Sequence, residues 1–217
     1  MTRPSDVTRD RIMKAAERLF AEHGYASTSI RAIVARAHVN QAAINYHFDG
    51  KEGLYREVLR AAFRGLTENQ VSNSGEASTM SREDALVAFI RRQLRPLLAR
   101  DEASRHIRIL TWENIHPTPV FRKLISEEAA PFMNAATDLV RRFLPAADHR
   151  TLVVAAIWLL GQCSIFVRYG ERLAASTLSL DESAVEWLTG MVSHWAIAGL
   201  TNRPPGTASP RESGSGS

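Results

Sequence analysis

Residues 28–55 read TSIRAIVARAHVNQAAINYHFDGKEGLY, and this stretch decides the fold. Ile30, Ile33, Val34 and Ala37 recur at helical spacing, which predicts a short helix with one apolar face. Val39 falls in the turn that follows, where it is placed to plug the gap between two helices. Asn40 is a good N-cap, because its side-chain oxygen can accept from a free amide of the next helix. That helix, Gln41 to His47, turns Ile44 and Phe48 inward and leaves Gln41, Asn45, Tyr46 and His47 outward. An exposed face of amide, phenol and imidazole is suited to hydrogen-bonding partners. In a helix-turn-helix, the second helix lies in the DNA major groove with its N-terminal residues on base edges.

The same stretch resembles the DNA-binding signature of TetR-family transcriptional regulators, T-x-x-x-I-A-x-x-A-G-V-x-x-x-x-[IL]-Y-x-Y-F-x-x-K-E-x-L. Apolar, cap and aromatic positions fall in register. Two departures matter. The turn glycine is His38, a residue type that tolerates the positive φ such a turn often needs. Asn45 stands where an aromatic is common, which implies a base preference of its own. The resemblance implies phosphate contacts at Thr28, Tyr46, His47 and Lys51. The residue chemistry agrees: Thr28 is read as the cap of a helix whose first amides can face a phosphate. Tyr46 and His47 can donate to phosphate oxygens, and Lys51 and Arg31 bring charge to the backbone. Gln41, Ala42 and Asn45 are placed to read bases: amides pair with adenine N6/N7, and the alanine methyl can meet a thymine methyl. Asn40 joins this set as the cap of the reading helix, whereas Arg36 is read equally well as a surface ion-pair partner.

Charge follows the same pattern. The chain has 217 residues, is 45% hydrophobic and carries a formal net charge of +4. Residues 1–60 hold most of that excess, a sign favourable to phosphate contact. The single cysteine, Cys163, allows no internal disulfide, which fits a reducing cytoplasm. The first residues lack the apolar core of a signal peptide. The longest apolar run, Leu152 to Val167, falls short of the roughly 18 residues expected of a membrane helix. We therefore expect a helix buried on both sides, with no membrane partner.

No segment alternates with a two-residue period, so the expected fold is all-α. A three-helix DNA-binding domain is expected over 1–50 and a helical effector-binding and dimerisation domain over 51–201, with 51–70 as the linking helix. The first helix should run from Thr8 to His23 and end at Gly24, and residues 71–81 should form a loop. Ser81 with Asp84 should cap the next helix, which Pro96 should bend. Phe121 to Leu144 should be helical, with Pro131 starting a new helix or kinking this one. Arg150 to Tyr169 should end at Gly170, and Asp181 should begin the last helix. The tail, 202–217, is rich in Pro, Gly and Ser and should be disordered.

The second half also resembles the TetR subgroup typified by the CecR regulator, through HPTPVF (compare D-P-T-P-A-F) and LLGQCSIFVR (compare L-G-Q-C-x-x-F-R). In the last helix, Val185, Leu188, Val192, Trp195 and Gly199 form a packing stripe, and Trp187, Met191 and His194 a second face. With Trp158 of the preceding helix, this predicts a homodimer interface of four helices. Candidate ligand-lining residues are Phe63, Phe89, His106, Trp112, Glu113, Phe132, Gln162, Cys163 and Phe166, mostly apolar, so the expected effector is a small aromatic or amphipathic molecule. His106 and Glu113 share a helix face but make a poor metal set, and no cofactor is expected. The sequence has no G-x-S-x-G, P-loop, G-x-G-x-x-G or H-E-x-x-H motif, so no enzyme is expected. The resulting expectation is a ligand-released repressor on palindromic double-stranded operator DNA. Two rivals remain at this point: an architectural DNA binder without effector, and a helical small-molecule binder or enzyme with a vestigial helix-turn-helix.

Overall fold

The computed structural model describes residues 4–99, 101–128, 130–176 and 181–202, with side chains given at all of these except 4, 68–78, 126, 128, 132 and 171–176. The side chain of Phe132 and nearly all of the 202–217 tail thus lie outside the described residues. Among the described residues there are ten α-helices and no strand: α1 (Pro4–Ser27), α2 (Ile30–Ala37), α3 (Gln41–Phe48), α4 (Gly50–Thr79), α5 (Arg82–Leu94), α6 (Glu102–Ile115), α7 (Pro119–Glu128), α8 (Ala130–Arg141), α9 (His149–Ser176) and α10 (Glu182–Thr201), with one 3-10 turn at Arg95–Leu97.

Side-chain caps set many of the starts. Ser29, Asn40, Ser81, Asp101 and Asp181 each accept from an amide three residues on. The Ser81 hydroxyl also donates to the Asp84 carboxylate, 2.6 Å away. Gly24 breaks α1 at φ 74°, ψ 175°, a conformation nearly closed to residues with a Cβ, and one further turn follows it to Ser27. His38 takes φ 51° as the left-handed cap of α2, the role the sequence requires of it.

Three boundaries differ from expectation. Residues 71–79 continue α4 rather than forming a loop; a lone glycine in a helix costs only about 1 kcal/mol, too little to end one. Pro96 ends α5 in a 3-10 turn instead of bending it. Of the two roles open to Pro131, it starts a new helix: it lies in the first turn of α8, where a missing amide hydrogen costs least. Gly170 lies inside α9, which runs on to Ser176. Over His149–Gly170, α9 is long and apolar enough by length and composition to cross a membrane, at mean hydropathy 1.7, unlike the shorter run judged from sequence.

Two apolar cores organise the chain. The first joins α1–α4 to α6 and α7, with Phe20, Ile33, Ile44, Leu54, Ile109 and Phe121 among its members. It passes residue 50 without a break, so helices α1–α3 are seated on the body. The second gathers α5, α8, α9 and α10 around Leu86, Val140, Leu152, Leu159, Val185 and Val192. Leu152, Ala156, Leu159, Cys163 and Val167 supply the inner face of α9, while Val154, Ile157, Trp158 and Ile165 are exposed, so this helix is buried on one side and not on both as expected.

Candidate functional site

The two short helices α2 and α3 are held by Ile33, Ala37, Ile44 and Phe48, all buried. Their inward pull fixes what α3 presents outward. Gln41, Ala42 and Asn45 are exposed, and Tyr46 is 82% exposed. His47 is half-buried, its ring edge-on to Tyr46 at 5.0 Å. The Asn40 oxygen accepts from the Ala43 amide at 3.0 Å, so that side chain is committed to capping. Arg31 is exposed on α2. Arg11 donates to the His38 carbonyl at 3.1 Å and thereby ties the turn to α1. Lys51 is half-buried in the first turn of α4, with Nζ 4.2 Å from the centre of the Tyr25 ring. Burial lowers its pKa.

Thr28 does not have the position expected of it. Its hydroxyl is 2% exposed and donates to Gly24 O at 2.8 Å and Leu19 O at 3.2 Å. Ser29 is the cap of α2, accepting from Ala32 N at 3.1 Å. Adjacent Thr and Ser are both good caps, and the sequence alone does not say which of them points inward.

The candidate ligand-lining residues do not converge. Phe63 stacks on Phe121 in the first core, at 6.0 Å between ring centres. Phe89 and Cys163 belong to the second core, Phe166 packs against it, and Gln162 is exposed. Burial pushes the Cys163 thiol up to about 12, so it is inert at neutral pH.

Three of the set do something more specific. Glu113, 1% exposed, accepts from the Tyr55 hydroxyl at 2.6 Å, the Thr118 amide at 2.7 Å and the Thr118 hydroxyl at 2.9 Å. It joins α4, α6 and the start of α7 in one hydrogen-bonded knot, and burial with the nearby carboxylate drives the Tyr55 pKa up. The Tyr55–Glu113 partnership spans 58 residues, a separation no local motif reveals. Trp112 donates its indole N–H to Ala21 O at 3.2 Å and lies flat against Gly24, where a Cβ would sit 3.0 Å from the ring. It docks α1 rather than lining an apolar cavity. His106 is 2% exposed with neither ring nitrogen hydrogen-bonded, and burial lowers its pKa. Its Nδ1 lies 2.6 Å from where a Cβ on Gly65 of α4 would stand, so that glycine makes room for the imidazole.

The last helices resolve the two faces of the sequence reading. Val185 and Val192 are buried, and Leu188 is 8% exposed; this part of the stripe faces the core, not a partner. Trp195, 56% exposed, lies on the other side with Trp187. Alongside them α9 exposes Val154, Ile157, Trp158 and Ile165, and Gly199 lies 3.6 Å, by its absent Cβ, from Trp158. A spacing of three and four residues drifts around a helix, and the core claims only the positions nearest its axis.

An exposed polar reading helix behind a left-handed turn, seated on an all-helical body, defines a helix-turn-helix DNA-binding protein. Residues 12–58 match the model of the bacterial regulatory proteins of the tetR family, and residues 82–201 match that of the C-terminal domain of the HTH-type transcriptional dual regulator CecR. The chain belongs to the TetR family and is a DNA-binding transcriptional regulator. The HTH-type transcriptional repressor NicS of Pseudomonas putida is 28% identical over 212 residues, 90% of this chain and 93% of that protein. The probable regulator YttP of Bacillus subtilis is 32% identical over 83 residues, which span 38% of this chain and only 40% of YttP. Among solved structures, the fatty acid degradation regulator FadR of Bacillus halodurans superposes with a TM-score of 0.64 at 19% identity, over 88% of this chain and 98% of that one. A transcriptional regulator of Saccharomonospora viridis in complex with choline gives 0.60 at 20% identity, over 84% and 93%. At such identities the likeness is one of fold.

Proposed function

We propose that the chain is a cytoplasmic, ligand-released repressor that acts as a homodimer on a palindromic operator. The observation that carries this is the outer face of α3: Gln41, Ala42, Asn45 and Tyr46 stand in water while Ile44 and Phe48 anchor the helix from behind. In this reading Gln41, Ala42 and Asn45 meet base edges. Tyr46, His47, Lys51 and Arg31 meet phosphates. The exposed Trp158, Trp187 and Trp195 supply the self-association that sets two copies of α3 on half-sites about 34–36 Å apart, or a multiple of that spacing. A ligand acts by preferring one spacing of the two reading helices, and it shifts the population by no more than its differential affinity.

Selection of bound sequences from random duplex DNA tests the reading. A two-fold symmetric consensus, bound at least a hundredfold more tightly than scrambled DNA in the same salt, is the expected result. Binding without sequence preference would instead favour an architectural role.

A further inference from the structure

A cleft opens where α1, α6 and α9 meet, on the side of α6 that docks the DNA-binding helices. Ala21, Glu22, Arg108, Thr111, Trp112 and Arg168 line it. Its volume is about 50 Å³. A water molecule's share of the liquid is roughly 30 Å³. The cleft therefore has room for one small polar group, not for a whole effector, with the rest of any ligand projecting from the mouth.

The walls select the sign of that group. The Arg168 guanidinium lies over the Trp112 ring at 3.9 Å, and among the described residues no carboxylate pairs with it. A guanidinium held over an aromatic face keeps N–H groups turned away from the ring that can donate in parallel. Arg108 adds a second positive charge and is itself steadied by donating to the Pro96 carbonyl. The one acid on the lining, Glu22, lies near His23 at 3.7 Å and is half-exposed. Two arginines against one carboxylate leave the cleft net positive. A planar fork beside an aromatic wall matches a carboxylate better than a point charge does.

We propose that this cleft binds the carboxylate of a small organic acid, with Arg168 and Arg108 as its donors and the Trp112 indole as its wall. Its use as a regulatory input rests on the DNA-binding reading above. The link is physical: the same Trp112 ring is bonded to Ala21 O and packs on Gly24 of α1, so a group that fixes Arg168 over Trp112 also fixes the seat of the reading helices.

Isothermal titration of the full chain with sodium benzoate, against sodium chloride at matched ionic strength, tests the site without DNA. The expected result is saturable binding to benzoate and acetate, weakened at least tenfold by Arg168→Gln and unchanged by Arg91→Gln, whose arginine pairs with Glu186 on the surface. Should Arg168→Gln lose its fold, Arg168→Lys keeps the charge but not the fork and must still weaken binding. Equal binding by the variant, no saturable heat, or tighter binding of inorganic phosphate than of either carboxylate would each overturn the proposal. Operator binding is measured separately. Carboxylate binding by a chain that ignores DNA would sink the regulatory reading alone. Operator binding by a chain that ignores carboxylates would sink the site alone.

Discussion

The reading helix α3 and the α9–α10 pair both turn large side chains to water, with opposite chemistry. On α3 the exposed groups are amide, phenol and imidazole, which lose nothing in water and gain partners on a nucleic acid. On α9 and α10 they are Val154, Ile157, Trp158, Ile165, Trp187 and Trp195, which bring only apolar area. Each Å² of that area left wet forgoes roughly 25 cal/mol, and contiguous apolar patches of this kind mark interfaces. Exposure alone therefore does not define a function. What is exposed tells whether the awaited partner carries hydrogen-bonding edges and charge or a dry surface of its own.

The sharpest way to break this comparison is to place the same charge on the two sides of α10. Leu188→Glu puts a carboxylate in the second core and should cost about 3–5 kcal/mol, a large fraction of a typical domain's stability. Trp195→Glu should leave the melting temperature of the monomer nearly unchanged while weakening self-association by about 2 kcal/mol, some thirtyfold. Thermal denaturation and analytical ultracentrifugation separate the two, and equal behaviour would mean that α10 has no free face.

On the other region, Asn45→Ala should cost about 1–3 kcal/mol on the selected operator and little on random DNA, with self-association unaffected. Competition binding on both DNAs in one buffer reads this directly; equal losses would move Asn45 from bases to backbone.

Between the regions lies the α4–α6 seam. Gly65→Ala drives a methyl to 2.6 Å from the His106 ring. Overpacking of this kind costs about 1–3 kcal/mol, partly offset by the roughly 1 kcal/mol that alanine gains over glycine in a helix. His106→Ala in the same chain should restore stability, and urea titrations of the four-member cycle check it.

Lys51→Ala should weaken all DNA binding alike and lower the salt slope by about one unit. An unchanged slope would leave the lysine as a partner of Tyr25 only.

The smallest effect concerns pH. The folded-state pKa of His106 is lowered by burial, so the unfolded chain binds more protons as pH falls. The stability this neutral histidine contributes is fully present above its unfolded value of about 6.5 and is lost as pH drops through that value toward the folded one. Denaturant midpoints at pH 7.5 and 5.5 should differ less in His106→Leu than in the parent chain.

What could be read in advance divides along the same line. The helix-turn-helix was legible because its information is local: Ile30, Ile33 and Ile44 set period and facing, and His38 and Asn40 mark the turn within a few residues. The helical content of the body was legible too, with the cap at Ser81 and the start at Asp181. The seams were not. Nothing near Glu113 announces Tyr55, and nothing near Gly65 announces His106, because those partners meet only after α4 and α6 pack. The surroundings of Trp112 were hidden for the same reason: an aromatic on an amphipathic helix looks alike whether it lines an apolar cavity or, as here, fills the notch at Gly24 beside a small polar cleft. Thr28 and Ser29 show the limit at single-residue scale, where two interchangeable hydroxyls are told apart by the packing of α1.

The Tyr55–Glu113 knot also has a mechanical meaning. Helix α4 is a rod of 30 residues tied to α6 at the Tyr55 phenol, which sits five residues from its Gly50 end and ten from Gly65. At 1.5 Å per residue those arms are about 7.5 Å and 15 Å long. A rigid rod pivoting on that pin reverses any sideways push delivered at Gly65 and halves it on arrival at Gly50. In the proposed dimer, a pivot of this kind would gear reading-helix spacing down from whatever moves the body, so that a coarse shift behind the pin would become a fine adjustment in front of it.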